Sequence, residues 1–239
     1  DMIHSSSLSP EALARNPGIP LNTDWVEAVR ANIPAIEQRT ATLAGRRSVK
    51  GAHQAAWLLK AISCIDLTTL SGDDTEARVR RLCAKARNPV RRDLLDALGI
   101  DGLTTGAVCV YHEMVTAAKE ALVGTAIPVA AVSTGFPAGL SPLALRLREI
   151  EASVAAGADE IDVVISRRHV LQQNWRALYD EITAFRASCG AAHMKTILAT
   201  GELGTLRNVY RASLVAMMAG SDFIKTSTGK EAENATQPV

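Results

Sequence analysis

"PVAAVSTGFPAGLSPLALRLREIEASVAAGADEIDVVIS", Pro128–Ser166, holds one complete strand–helix–strand unit. Its two ends, "PVAAVS" (128–133) and "EIDVVIS" (160–166), are short apolar runs rich in valine and isoleucine, which read as buried strands. Between them "SPLALRLREIEASVAAGA" has Ser141 placed as an N-cap, Pro142 at the first helical position and Gly157 just past the end. A helix joining two strands in this way is the crossover of a right-handed βαβ unit, so the strands run parallel.

The same alternation extends in both directions. "ISCIDL" (62–67) and "AVCVY" (107–111) precede the unit as strand candidates, and "HMKTIL" (193–198) and "DFIKT" (222–226) follow it. "DDTEARVRRLCAKA" opens on acids and closes on bases, as the helix dipole favours, and "TLRNVYRASLVAMMAG" runs from a Thr205 cap to Gly220. Six strands alternating with helices predict an α/β fold with a parallel sheet: about six of the eight units of a closed TIM (β/α)8 barrel, with an open doubly wound sheet as the other option. No GxGxxG follows the first strand, so a dinucleotide site is unsupported. Residues 1–60 read as an N-terminal helical extension and 61–239 as the partial barrel. In the extension, "TDWVEAVRANIPAIEQRTATLAG" starts at a Thr23 cap and places Trp25, Val26, Val29, Ile33 and Ile36 at helical spacing; "QAAWLLKAI" continues in that mode.

The composition narrows the function classes. Of 239 residues, 47% are hydrophobic and 21% charged, enough for a large core. A net charge of +1 and 4% aromatics leave neither the basic field nor the stacking surfaces that nucleic-acid binding needs. No apolar run reaches the roughly 18 residues of a membrane span, and "DMIHSSSLSPEALARNPG" lacks the charged and apolar regions of a secretory leader. Cys64, Cys83, Cys109 and Cys189 form no CxxC pair. The expectation is a reduced, cytoplasmic protein with no nucleic-acid or membrane partner. His4, His53, His112, His169 and His193 are dispersed, without HExxH or a Cys/His cluster, so no metal site is expected.

In a parallel barrel the chemistry gathers at the C-terminal ends of the strands. Asp66 is expected to end the first strand, Cys109 to lie late in the second, Asp162 within the fourth, Lys195 within the fifth, and Lys225 at the end of the sixth. Singly, a strand-end lysine usually snorkels to solvent, an aspartate pairs with a cation and a cysteine fills core space. Together they place several reactive groups in apolar surroundings. A lysine moved into a low-dielectric site is expected to lose proton affinity, and more so beside a second cation. The neutral amine attacks a carbonyl, and the resulting iminium draws electrons from a neighbouring C–C bond. On this reading Lys225 is the nucleophile, Lys195 the second cation, and Asp162 the proton shuttle for carbinolamine dehydration. "SDFIKTSTGK" (221–230) is no P-loop, because Ile224 stands where that motif needs glycine and Glu231 follows Lys230. Its glycine, hydroxyls and ammonium suit an anionic or polyhydroxylated ligand.

From about Trp57 onward, "IDLTTLSGDDT", "AVCVY", "TGFPAG", "EIDVVI", "KTILATGEL" and "FIKTSTGKEAENAT" occur in an order that resembles the deoxyribose-phosphate aldolase family. The extension ahead of them resembles its longer, animal-type branch. The resemblance implies a class I aldolase on a TIM barrel, without metal or cofactor, that reversibly cleaves 2-deoxy-D-ribose 5-phosphate to acetaldehyde and D-glyceraldehyde 3-phosphate. Its partner would be a small sugar phosphate, and a homo-oligomer is compatible with it. Lys225 would form the Schiff base, Asp162 relay protons through water, and Lys195 lie near the imine. Asp66 and Cys109 would line the site, while Thr228, Gly229 and Lys230 would contact substrate hydroxyl and phosphate groups. Two positions depart from the pattern: His112 follows "CVY" in place of proline, and Ser166 stands where asparagine or proline is expected. The family also runs on past the position of Val239 into two more strands, with a "KPAGG"-like segment that brings a second lysine and much of the phosphate cradle. The expectation for these 239 residues alone is a sheet with two open edges and little activity. Two alternatives stay open: a non-catalytic relative that acts by binding along those edges, and another Schiff-base sugar-phosphate aldolase or transaldolase.

Overall fold

The computed structural model describes residues 14–46 and 48–239; His4 and the start of the leader reading lie outside the described residues. Six strands form one sheet: β1 (Asp66–Thr68), β2 (Ala107–Tyr111), β3 (Val129–Ser133), β4 (Glu160–Val164), β5 (His193–Ile197) and β6 (Phe223–Lys225). Every neighbouring pair is parallel, and the order in the sheet is the order in the chain.

Side chains alternate across each strand, so each face has its own composition. One face carries Val108, Val110, Val129, Ala131, Ile161, Val163 and Met194, which pack against the connecting helices through Val79, Ile150, Leu178, Ile182 and Phe185. The other carries a smaller apolar cluster of Cys109, Ala130, Val132, Val164 and Ile197, joined by Phe136. Asp162 is in register with Val132 and Lys195, and Lys225 with Ile197, so the ionisable groups belong to this second face.

That face is concave. Lys195 on β5 bonds directly to Asp66 on β1. Four strand spacings of about 4.8 Å would hold these strands about 19 Å apart in a flat sheet. Only a sheet curled into a barrel wall lets the two side chains meet.

Several local expectations need correction. The helix between β3 and β4 spans Leu143–Ala155, and Pro142, in extended conformation, is its N-cap; Ser141 lies outside it. Gly157 does end the helix, at φ +99°, the left-handed conformation that glycine adopts without steric cost. Thr205 caps Leu206–Met218 as expected, accepting the Asn208 N–H at 3.1 Å. The helix read from Thr23 is two helices, Thr23–Ala28 and Ile33–Ala41. Asn22 and Asn32 cap them by accepting from Trp25 N (3.0 Å) and Ala35 N (3.2 Å). Pro34 sits in the first turn of the second, where its missing N–H costs no bond. The "QAAWLLKAI" helix continues to Ser63, so the first strand begins at Asp66 rather than ending there.

Candidate active site

Asp162, the middle residue of β4, is fully buried at the centre of the concave face. Its Oδ2 lies 2.5 Å from Lys225 Nζ and accepts a weak bond from Cys109 Sγ at 3.8 Å. Its Oδ1 lies 3.6 Å from Lys195 Nζ. Lys195, in register with Asp162 on the next strand, is bonded to Asp66 Oδ2 and lies 2.5 Å from Glu160 Oε2. Lys225 is the last residue of β6, and its side chain keeps 29% exposure against 9% for Lys195. The amine nearest solvent is therefore the one at the strand end.

Five residues selected from sequence thus converge from five strands: Asp66, Cys109, Asp162, Lys195 and Lys225. Glu160 is a sixth member that the sequence reading missed. It sits two residues before Asp162 and therefore on the same face, and that spacing was the available signal.

The electrostatics differ from the expectation. Burial alone would lower the Lys225 pKa, but the charge of Asp162 and the hydrogen bond to it outweigh burial, and the net shift is upward. Lys195 does push it down, but more weakly than Asp162 holds it up. The reason is geometric, since Lys195 is itself enclosed by three carboxylates. Burial works against the Lys195 charge as well, and Asp162, Glu160 and Asp66 carry its pKa well above the ordinary lysine value. Burial also raises Glu160, against the pull of Lys195. Cys109 is pushed up to about 12, first by burial and then by the Asp162 charge, so it is a thiol and a donor at neutral pH. Lys225 therefore rests as an ammonium beside Asp162.

A family model described as DeoC/LacD family aldolase matches residues 60–239. The chain belongs to this family. It is 61% identical over 226 residues to mouse deoxyribose-phosphate aldolase, covering 93% of this chain and 71% of the mouse protein. Two solved structures share the fold. One, from Coccidioides immitis and provisionally described as a deoxyribose-phosphate aldolase, has a TM-score of 0.67 at 24% identity and covers 92% of this chain and 78% of that one. The other, described as a tetrameric deoxyribose phosphate aldolase from Aeropyrum pernix, has a TM-score of 0.59 at 23% identity over 85% of this chain and 74% of that one. The sheet is therefore six βα units of a TIM-type aldolase barrel, and the protein is a class I aldolase, a lyase of the Schiff-base type.

The aldolase's "TSTGK" turn does not join the lysine–carboxylate cluster by any direct bond. Thr228 is buried, and both its N–H (3.0 Å) and its hydroxyl (2.5 Å) donate to the Glu231 carboxylate. Lys230 N donates to Thr228 Oγ1 at 3.0 Å, and Gly229 closes the turn at φ +79°. The Lys230 side chain is exposed. The hydroxyl expected to face substrate is thus engaged by Glu231. After β4, Arg167 Nε meets Glu202 at 2.7 Å and its Nη1 donates to Pro137 O at 3.1 Å, while Arg168 is exposed. Ser166, one of the two departures from the family pattern, donates its N–H and hydroxyl to the buried Glu181, which Arg146 neutralises at 2.7 Å. This network fixes the chain where it leaves β4. An apolar groove of about 450 Å³, lined by Leu198, Val209, Tyr210, Met217 and Ile224, lies behind β6; Ile224 marks it as the helix-packed face, and no ionisable cluster adjoins it.

Proposed function

We propose that this aldolase reversibly cleaves 2-deoxy-D-ribose 5-phosphate to acetaldehyde and D-glyceraldehyde 3-phosphate, in the breakdown of deoxyribose phosphates, with Lys225 as nucleophile and Asp162 as proton carrier. One observation carries the site assignment: an amine with partial solvent access, at a strand end, 2.5 Å from a fully buried carboxylate. The name of the mouse relative supports the substrate.

The geometry supports the following sequence. Asp162 takes the ammonium proton of Lys225, and the freed amine attacks the aldehyde carbon of the open-chain sugar. The protonated Asp162 returns its proton to the carbinolamine hydroxyl, which leaves as water and yields the iminium. The C3 hydroxyl loses a proton, through water, to the Asp162 carboxylate. The C2–C3 electron pair then flows to the iminium nitrogen, releasing glyceraldehyde 3-phosphate and leaving an enamine. Protonation of the enamine carbon gives the acetaldehyde iminium, which water hydrolyses to acetaldehyde and free Lys225. Cys109, held as a thiol, donates to Asp162 between steps. Asp66 keeps Lys195 at the edge of the site as a fixed cation.

Thr228, Gly229 and Lys230 bind the phosphate-bearing end on this reading, once Glu231 releases the Thr228 N–H and hydroxyl. Four free cysteines suit a cytoplasmic setting. No helix among the described residues is long and apolar enough to cross a membrane. The tetrameric description of the Aeropyrum pernix structure supports a homo-oligomer here.

Incubation with acetaldehyde and borohydride tests the nucleophile. A reduced two-carbon unit is expected on Lys225, found by peptide mapping. A label on Lys195 or Lys230 with Lys225 unmodified would overturn the assignment.

A further inference from the structure

Glu160 has no part in the scheme above, yet it approaches Lys195 as closely as Asp162 approaches Lys225. Its Oε2 lies 2.5 Å from Lys195 Nζ, its side chain is 14% exposed, and the lysine it meets is 9% exposed, so neither charge is well screened. Around that one ammonium stand Asp66 in direct contact, Glu160 at 2.5 Å and Asp162 at 3.6 Å. The nearer two are not the proton carrier. The carrier instead gives its other oxygen to Lys225 at 2.5 Å.

We infer that Glu160 is a positioning residue: with Asp66 it holds the Lys195 ammonium off Asp162, which leaves the Asp162 carboxylate free to exchange protons with the enamine carbon, one bond beyond the carbon attached to Lys225. The inference rests on the Schiff-base reading of Lys225 given above. An ammonium has three donors and no preference among carboxylates beyond distance and charge. With Glu160 neutral, two anions remain, and the cation moves toward the one it now only approaches. Asp162 then carries two cations and becomes a poorer base. Asp66, Asp162 and Lys195 are the charged groups that face Glu160. His193 is its register partner on β5, and Cys109 and Lys225 lie beyond Asp162.

Two readouts separate this role from a merely structural one. Borohydride trapping of acetaldehyde on Lys225 reports amine attack. Exchange of the acetaldehyde methyl protons for solvent deuterium reports proton transfer to and from the enamine carbon, the carrier's own task. In Glu160→Gln, trapping is expected to stay within about twofold of wild type, while exchange slows by about tenfold or more. Glu160→Asp keeps the charge on a shorter arm and should fall between the two. If trapping and exchange fall together, or if exchange is unchanged, the assignment is overturned. Should Glu160→Gln not fold, Glu160→Asp decides: slowed exchange with normal trapping supports the inference, and wild-type exchange overturns it. Absence of trapping in the wild-type protein would instead count against the Schiff-base reading itself.

Discussion

The strand starts and the concave face both use aspartate and lysine or arginine, in opposite ways. Just before β4, Asp159 accepts the first N–H of β3, from Val129 at 2.8 Å, and meets Lys119 at 2.9 Å. Just before β6, Asp222 accepts from Met194 N (2.8 Å) on β5 and Asn16 N (2.7 Å), and meets Arg186 at 2.9 Å. Each carboxylate there has one cation and ties down a neighbouring strand. On the concave face three carboxylates share two ammonium groups, and Asp162 Oδ1 has no hydrogen bond, only the charge of Lys195 at 3.6 Å. Matched pairs hold the barrel wall in place. On the proposed assignment an unmatched cluster leaves protons free to move, a division of labour like that between the two ends of such barrels.

The comparison breaks most visibly at Lys225. Lys225→Ala is expected to abolish both Schiff-base trapping and cleavage, while the far-ultraviolet circular dichroism stays that of the wild type. Residual activity with a label elsewhere would move the nucleophile to another lysine. Asp162→Asn comes next. A proton carrier acts in the transition state, so kcat should drop about 10²–10⁴-fold with little change in KM. A near-normal kcat would make Asp162 one more matched structural partner.

Asp222→Ala tests the other half. It leaves Arg186 without its carboxylate and two N–H groups without their acceptor, in a site where the carboxylate is only 5% exposed. A loss of roughly 3 kcal/mol is expected in urea unfolding, with kcat per trapped active site unchanged. A fall in kcat at unchanged stability would erase the distinction between the two regions.

Why the sequence revealed one region better than the other follows from strand geometry. Asp162 stands out because it interrupts an apolar run of β-branched residues, Lys195 because it is a cation inside the strand run "HMKTIL", and period-two alternation puts each on a definite face. Lys225 stands out as an ammonium directly after Phe223 and Ile224. Glu160 does not stand out, since a glutamate after "GAD" at a strand start reads as a solvated turn residue. The curl of the sheet, invisible in local pattern, turns it inward. The sign of the Lys225 shift was out of reach for the same reason: it depends on whether Asp162 or Lys195 is nearer, and three-dimensional packing decides that. Asp159 and Asp222 were missed because their partners, Val129 N and Met194 N, are backbone groups 30 and 28 residues away.

Glu231 offers the finest test, because it belongs to neither pattern. It stands alone against a turn expected to receive an anion. Burial pushes its pKa up, but the hydrogen bonds from the Thr228 hydroxyl and N–H outweigh that and leave it below the ordinary value of 4.5. A lowered carboxylate stabilises the fold above its unfolded pKa, and that contribution is lost as pH falls through the folded value. The stability difference between wild type and Glu231→Gln should therefore be constant from neutral pH down to about 4.5 and shrink below it. Partial exposure keeps it small, under about 1 kcal/mol. The same substitution removes a negative charge from the Thr228 N–H and should tighten the binding of inorganic phosphate at neutral pH, by severalfold, read as competition with the sugar phosphate. If stability falls while phosphate binding is unchanged, Glu231 only closes the turn, and the anion binds elsewhere on the barrel.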